Sequence, residues 1–291
     1  MAKLTVKEFF ARFPNDEACL THVMNVRYGM RHTCRACGVE ASFHRLANRR
    51  AYACSQCGDN LYPTAGTVLQ DTRTPLQLWF YAIYLFVVTR HGVSGKELQR
   101  QLGVTYKTAY RMGQQIRDLM TATDGFEMLR GHVEIDETLV GGVHRGDGRG
   151  PHSTKKTVVV GLKQRDGMMQ TQVVPNAKMD TLQEVVLNRV QRGSIVSTDE
   201  FKSYALLTEE GYTHGRVNHS KKEYARTDAA LGVVVSTNSV ESFWNLFKNS
   251  VRSTHIHVSK KHMARYLGEF TFRSNHRAMQ NAMFDLLVAA F

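Results

Sequence analysis

A chain of 291 residues, 42% of them hydrophobic, has room for one large domain or two to three small ones, and its net charge of +12 favours a polyanionic partner, nucleic acid first. The opening residues, MAKLTVKEFFARF, are too polar for a signal peptide, and the longest apolar run, Leu78 to Val88, falls well short of the roughly 20 residues that span a bilayer. With cysteines spaced for a metal rather than for disulfides, these features argue against a secreted or membrane-spanning protein and for a cytosolic, nucleoid-associated one.

Residues 5–30 read as helical, with Cys19 as a core thiol. Then come Cys34-x2-Cys37 and Cys54-x2-Cys57, sixteen residues apart. Two CxxC pairs at that separation have the spacing of a four-thiolate zinc site. Gly38 and Gly58 follow the second cysteine of each pair, where a metal knuckle needs unusual backbone angles. Two disulfides or four unrelated thiols are the alternatives, and iron can replace zinc on four thiolates. The intervening residues resemble the short strands of a zinc ribbon. After Pro63 and Gly66, PLQLWFYAIYLFVV is apolar nearly all round and predicts a buried helix.

The next stretch, VSGKELQRQLGVTYKTAYRMGQQIRDLM, predicts a helix capped by Ser94, with Glu97 completing a capping box and Leu98 and Leu102 facing inward. Gly103 ends it. Thr105 starts a second helix that buries Ala109, Met112, Ile116 and Leu119. Helix, glycine turn, helix is the helix-turn-helix pattern. Tyr106, Lys107, Thr108 and Arg111 then point outward and suit contacts to phosphates and base edges. A plain helical hairpin within a core is the alternative.

From Gly131 the texture changes. HVEIDETLVGG predicts a strand, and KKTVVVGLKQ and MMQTQVVP predict a hairpin about Asp166-Gly167. MDTLQEVVLNRVQ has helical spacing, GSIVSTDEF predicts a strand ending at Asp199, and VESFWNLFKNSV an amphipathic helix. This order suits an α/β fold with a mixed sheet flanked by helices. Residues 144–156, rich in glycine and cations, predict a DNA-contacting loop.

Three acids stand out by placement: Asp136 within a strand, Asp199 at the end of one, and Glu241 opening a helix. An acid in a buried strand is costly unless something compensates, and a divalent cation is a common reason. Three carboxylates from separate elements can hold two magnesium or manganese ions for phosphodiester chemistry. Val240, Phe243, Trp244, Phe247 and Val251 form the helix's apolar stripe. Asn245, Lys248 and Arg252 share the adjacent stripe with Glu241, placing Lys248 and Arg252 to reach DNA phosphates. A surface ion-pair face is the alternative, although residues 242–277 carry seven Lys or Arg against the single acid Glu269. Among weaker candidates, Glu134 shares a side of its strand with Asp136 and Glu137 points away. Glu200 suits a helix start, Asn238 suits the cap of the Glu241 helix, and His219 suits either a structural or a substrate contact.

The doubled CxxC, KELQRQLGVTYKTAYRM, VEIDETLVGG, STDEFKSY, VNHSKKEYA and the long block from TNSVESFWNLFKNSV to FRSNHR together resemble insertion-sequence DDE transposases of the ISXO type with an amino-terminal zinc ribbon. The resemblance covers nearly the whole chain. It implies an RNase H-like catalytic domain with Asp136, Asp199 and Glu241 as its acids and Lys248 as the basic residue seven positions on. Some relatives carry asparagine where this chain has Glu241. The stretch NVRYGMRHTCRACG departs from the family, where tryptophan-proline is expected near Tyr28 and Gly29.

The domains expected are 1–66 (helix and zinc ribbon), 67–125 (helix-turn-helix) and 126–291 (RNase H-like). The function expected is binding of the element's inverted terminal repeats in double-stranded DNA, cleavage and strand transfer, by a homodimer or higher assembly using magnesium or manganese, with zinc structural. The rivals are a DNA-binding regulator with a degenerate carboxy-terminal domain, a related nuclease or resolvase that never joins strands, and a metal-binding scaffold.

Overall fold

The computed structural model describes residues 4–141, 156–200, 204, 207–230 and 232–291, so nearly all of the loop expected at 144–156 lies outside the described residues. Two compact units emerge: residues 1–119 with 278–291, and residues 120–277.

In the first unit, α1 (Val6–Arg12) begins at a capping box formed by Thr5 and Glu8, and α2 (Asp16–Arg27) is capped by Asn15. The single helical stretch read at 5–30 is therefore two helices. Pro14 lacks the N–H that a continuous helix would need, and Asn15 turns its side chain to the second helix. Cys19 is fully buried, as expected of a core thiol, and burial pushes its pKa up to about 12. Strands β1 (Arg31–Thr33), β2 (Glu40–Arg45), β3 (Tyr52–Cys54) and β4 (Asn60–Leu61) pair antiparallel in sequence order. The apolar stretch is α3 (Leu76–Val88), which buries Trp79, Phe80, Ile83 and Phe86.

The two helices read after it are α4 (Gly95–Leu102) and α5 (Tyr106–Asp124), joined through Gly103 in the left-handed conformation (φ 65°). Ser94 caps α4 by accepting from the Glu97 N–H, but the capping box is half made. The Glu97 carboxylate instead accepts from Arg100 and from Gln101 at 2.8 Å, so the predicted return bond is lost to neighbours along the helix. Ala109, Met112, Ile116 and Leu119 are buried as expected. The last helix, α9 (Gln280–Ala289), falls within the range expected for the third domain. It packs on α2 and α3, and the Phe284 ring lies 5.4 Å from Phe13, which in turn lies 4.9 Å from Phe80.

The second unit is built on a five-stranded mixed sheet. Its strands are β5 (His132–Val140), β6 (Thr157–Gln164), β7 (Met169–Val174), β8 (Ile195–Thr198) and β9 (Thr213–Arg216), in the order β7-β6-β5-β8-β9. The pairs β7/β6 and β6/β5 are antiparallel, and β5/β8 and β8/β9 parallel. The hairpin turn falls at Asp166-Gly167, with Asp166 at φ 53°. A separate ribbon is formed by β10 (Ala225–Asp228) and β11 (Val233–Ser236).

Because both sheet faces are covered, the central strands carry near-continuous apolar runs. On one face Val133, Ile135, Val160 and Leu162 pack with Leu182, Val185 and Val186 of α6 (Met179–Arg189). On the other, Val140, Val159 and Met169 pack with Val240, Trp244 and Phe247 of α7 (Asn238–Ser250) and Met263, Leu267 and Phe270 of α8 (Met263–His276). The helix α7 stops at Ser250 and continues as a π-helical turn, Val251–His255, so Val251 extends the apolar stripe only as a half-buried flank. Among the described residues, no helix is long and apolar enough to cross a membrane.

Candidate functional site

The four-thiol centre lies in the first unit. The Sγ atoms of Cys34, Cys37, Cys54 and Cys57 all fall within 4.8 Å of one another, and none is in a disulfide. Cys34 Sγ and Cys57 Sγ are 3.7 Å apart. A tetrahedral zinc with Zn–S bonds of about 2.3 Å requires sulfurs roughly 3.7–3.8 Å apart, so Cys34 and Cys57 already stand at that spacing and the other pairs lie within about an ångström of it. Gly38 and Gly58 adopt φ of 70° and 76°, as the knuckles require. The backbone N–H groups of Cys37 and Ala36 favour the Cys34 thiolate and bring its pKa down to about 7. The residues therefore fit a structural metal and not a disulfide pair.

The carboxylates lie in the second unit. Asp136 sits in the middle of β5, on the face covered by α7. Asp199 follows β8. In the parallel register Glu134 stands opposite Ser197, and two residues further on this brings Asp199 level with Asp136. Glu241 projects from the first turn of α7. Burial, followed by the charges of Glu137, Asp199 and Glu241, pushes the Asp136 pKa up to about 8, and Lys248 pulls the other way. Burial lowers the Lys248 pKa, with Asp136 opposing the shift. The three acids and Lys248 thus share one electrostatic field, although they come from three separate elements. The ligand atoms of the acids do not converge as the four sulfurs do: among the described residues the cysteines are the one group of three or more placed to hold an ion. What the acids share is negative charge and all-oxygen chemistry, which magnesium or manganese prefers.

A fourth acid joins from the opposite face. Tyr204 Oη donates to Glu137 Oε2 at 2.7 Å, and burial with the Asp199 charge raises the Glu137 pKa to about 7. Sequence reasoning set Glu137 aside because its side of the strand is wrong. Its closeness to Asp199 arises because Asp199 lies beyond the end of β8, where the face distinction lapses.

Glu134, the other acid beside Asp136, is 1% exposed and anchors the fold. It pairs with Arg165 at 3.1 Å and accepts from the backbone N–H groups of Ser239 at 2.8 Å and Val240 at 3.4 Å. These are first-turn amides of α7, which lack partners within the helix. Asn238, expected to cap this helix, is its first residue. Thr237 holds the cap position, and its hydroxyl goes to Glu241 Oε1 at 2.8 Å. Glu134 therefore supplies the capping that Asn238 does not, and in doing so fixes α7, and Glu241 with it, against β5. His219 also reaches Glu241: its Nε2 lies 3.3 Å from the same Oε1.

The sheet leaves room for this approach at Gly161, which stands opposite Asp136 on β6. A Cβ there would meet Trp244 Cζ2 at 2.5 Å, Met169 Cε at 2.9 Å and Val240 Cγ2 at 3.0 Å. Gly161→Ala is expected to push α7 from the sheet and Glu241 from Asp136, costing about 1–3 kcal/mol of stability. Chemical denaturation checks the cost, and any cation-dependent activity should fall with it. An unchanged denaturation midpoint would show that the helix is not held this closely.

The remaining sequence-marked residues are placed as follows. Tyr106, Lys107 and Arg111 are exposed at the start of α5 in the first unit, while Thr108 is half-buried and bonds back to Thr105. Tyr106 lies under the Lys96 ammonium, 4.8 Å from its ring centroid. Lys248 is half-buried beside Asp136, and Arg252 is exposed on the π-helical turn.

Comparison with known proteins agrees with this division. The ISXO2-like transposase domain matches residues 128–275, which contain Asp136, Asp199 and Glu241, and the transposase zinc-ribbon domain matches residues 14–60, which contain the four cysteines. A protein of the transposable element ISH50 in Halobacterium salinarum is 30% identical over 260 residues, covering 82% of this chain and 84% of that protein. A transposase-like protein of Haemophilus influenzae is 32% identical over 111 residues, covering 38% of this chain and 84% of its own length. With half of its length matched by the transposase domain and an insertion-element relative aligned along most of it, the chain belongs to the ISXO2-like DDE transposases that carry an amino-terminal zinc ribbon.

Proposed function

We propose that this transposase binds the inverted terminal repeats of its element, cleaves at the ends and joins the freed 3′-hydroxyls to target DNA at a site formed by Asp136, Asp199 and Glu241. The observation that carries this reading is Asp136, whose pKa is pushed up to about 8 first by burial in β5 and then by the charges of Glu137, Asp199 and Glu241, acids that come from three elements. The sheet order β7-β6-β5-β8-β9, with its antiparallel and parallel halves, supports an RNase H-like fold for residues 126–277. Two magnesium or manganese ions, when bound there, supply activation of a water or 3′-hydroxyl and stabilisation of the leaving oxygen. Asp136, Asp199 and Glu241 hold the site's charge in place, and Lys248 and Arg252 neutralise phosphates beside it. The zinc ribbon and the α4–α5 pair, acting as a helix-turn-helix, bind the ends through Tyr106, Lys107, Thr108 and Arg111. Two ends must be cut and joined together, which calls for a dimer or larger assembly on DNA.

The test is incubation of the purified protein with DNA carrying the flanks of its own gene, with magnesium or manganese, beside Asp199→Asn. Cation-dependent end cleavage and joined products are expected from the wild type and absent from the variant. Binding without cleavage would favour a regulator, and cleavage without joined products would favour a nuclease.

A further inference from the structure

We propose that His219 is a positioning residue for Glu241, pinning one carboxylate oxygen so that the other remains for a divalent cation. This rests on the assignment of Glu241 to the proposed cation site.

The segment that carries His219 runs between the ends of β8 and α7. Beyond β9, the Val217 N–H donates to the Thr198 carbonyl at 3.0 Å, holding the chain beside the residue that precedes Asp199. A short 3-10 turn, His219–Lys221, follows. Asn218 caps it by accepting from the Lys221 N–H at 2.9 Å, and Lys222 closes it in the left-handed conformation (φ 60°). The Ser220 hydroxyl donates to Glu200, the neighbour of Asp199. The Tyr224 ring packs against the imidazole, with centroids 5.4 Å apart. The turn is thus tied to the second acid's strand on one side, and it presents its histidine to the third acid on the other.

Proton bookkeeping fixes the donor. The Thr237 hydroxyl has one proton, and it goes to Glu241 Oε1 at 2.8 Å. Its oxygen is then an acceptor, and His219 Nε2 lies 3.2 Å from it. Nε2 therefore carries the proton, shared between Thr237 Oγ1 and Glu241 Oε1 at 3.3 Å. Both donors reach the same carboxylate oxygen. Among the described residues, Oε2 takes no hydrogen bond. Rotation about the terminal bond of a glutamate is soft, and the Glu241 side chain is 38% exposed. Without these two donors its carboxylate would swing. With them it presents one oxygen in a set direction, the arrangement by which outer hydrogen bonds orient a metal's ligands.

The test uses full-length, zinc-loaded protein, with free Mn²⁺ followed by electron paramagnetic resonance. His219→Ala is expected to weaken Mn²⁺ binding by about 10–100-fold, and end cleavage should fall at limiting Mn²⁺ and recover at high Mn²⁺. His219→Gln, whose amide nitrogen can take the place of Nε2, is expected to restore most of the affinity. His219→Asn, which reaches only the Nδ1 position, is not. Equal Mn²⁺ affinity in wild type and His219→Ala overturns the role, as does an equal loss in all three variants with a lowered thermal midpoint, which would mark a structural histidine. Asp136→Asn separates the cation site from the positioning role. If the wild type takes up no Mn²⁺, or Asp136→Asn takes up as much, the carboxylate site itself fails and the role of His219 fails with it. If Asp136→Asn loses Mn²⁺ and His219→Ala does not, only the positioning role falls.

Discussion

Asp136→Asn is expected to abolish cation-dependent cleavage of element ends, roughly a thousandfold or more, and at the same time to raise the thermal midpoint measured without divalent cation. The two effects have one cause. Asp136 lies in the interior of β5 with Glu137, Asp199 and Glu241 around it, and the partial relief from Lys248 leaves its pKa at about 8. Its ordinary value is about 3.9. An acid whose pKa is raised on folding binds its proton more tightly in the folded state. Its contribution to stability is therefore full below about pH 4 and is lost progressively as pH rises toward about 8.

The amide cannot ionise, so the variant escapes this loss. The gain should be about 0.5–2 kcal/mol at pH 8 and should vanish near pH 4. Mn²⁺ should reverse the ranking by raising the midpoint of the wild type and not of the variant, and more strongly at pH 8 than at pH 4, because the cation has less proton competition at Asp136 there. Differential scanning calorimetry at pH 4 and pH 8, with and without Mn²⁺, reads all of this. A variant that is less stable than the wild type at pH 8 without cation would make Asp136 a structural residue.

The legibility of these features in the sequence followed the range of the interactions behind them. The four cysteines are legible because each pair is local and the two knuckles repeat one turn geometry. Asp136 is legible because a charged residue directly after Ile135 conflicts with a strand buried on both faces. The role of Glu134 is not legible. It caps a helix 105 residues away in sequence, and only the placement of α7 over β5 brings the Ser239 amide to it. The meeting of Glu137 and Tyr204 spans 67 residues in the same way. The helix α9 shows a further limit. An apolar stripe declares that it will be buried, but not against which core, and Phe284 joins Phe13 and Phe80 at the other end of the chain. The sequence leaves His219 open to a structural or a substrate contact. Its link to Glu241 depends on a turn whose direction is set by the β8–β9 pairing.

Cys54→Ser is expected to unfold the ribbon. The elements it would have to hold without metal are slight: β1 has three residues, β3 three and β4 two, and the buried apolar side chains along the ribbon strands include Ala41, Phe43 and Tyr52. So small a core does not offset the entropy of ordering the chain. Structural zinc contributes its binding free energy directly to folding, about 10–16 kcal/mol in zinc-finger peptides near neutral pH, well beyond the effect of an ordinary substitution. The wild type should release close to one equivalent of zinc to a colorimetric chelator after thiol modification, and Cys54→Ser should carry little. Amide hydrogen exchange should show residues 31–61 unprotected in the variant, while the sheet around Asp136 keeps its protection. Binding to element ends should be lost with the ribbon. Cys19→Ser is the control: it changes a buried thiol outside the centre and should leave the zinc in place. Acid should imitate the mutation, because zinc binds the thiolates and must compete with protons for all four sulfurs as pH falls. Full protection of residues 31–61 in metal-free Cys54→Ser would show that the ribbon folds on its own strands and that the four thiols are incidental to it.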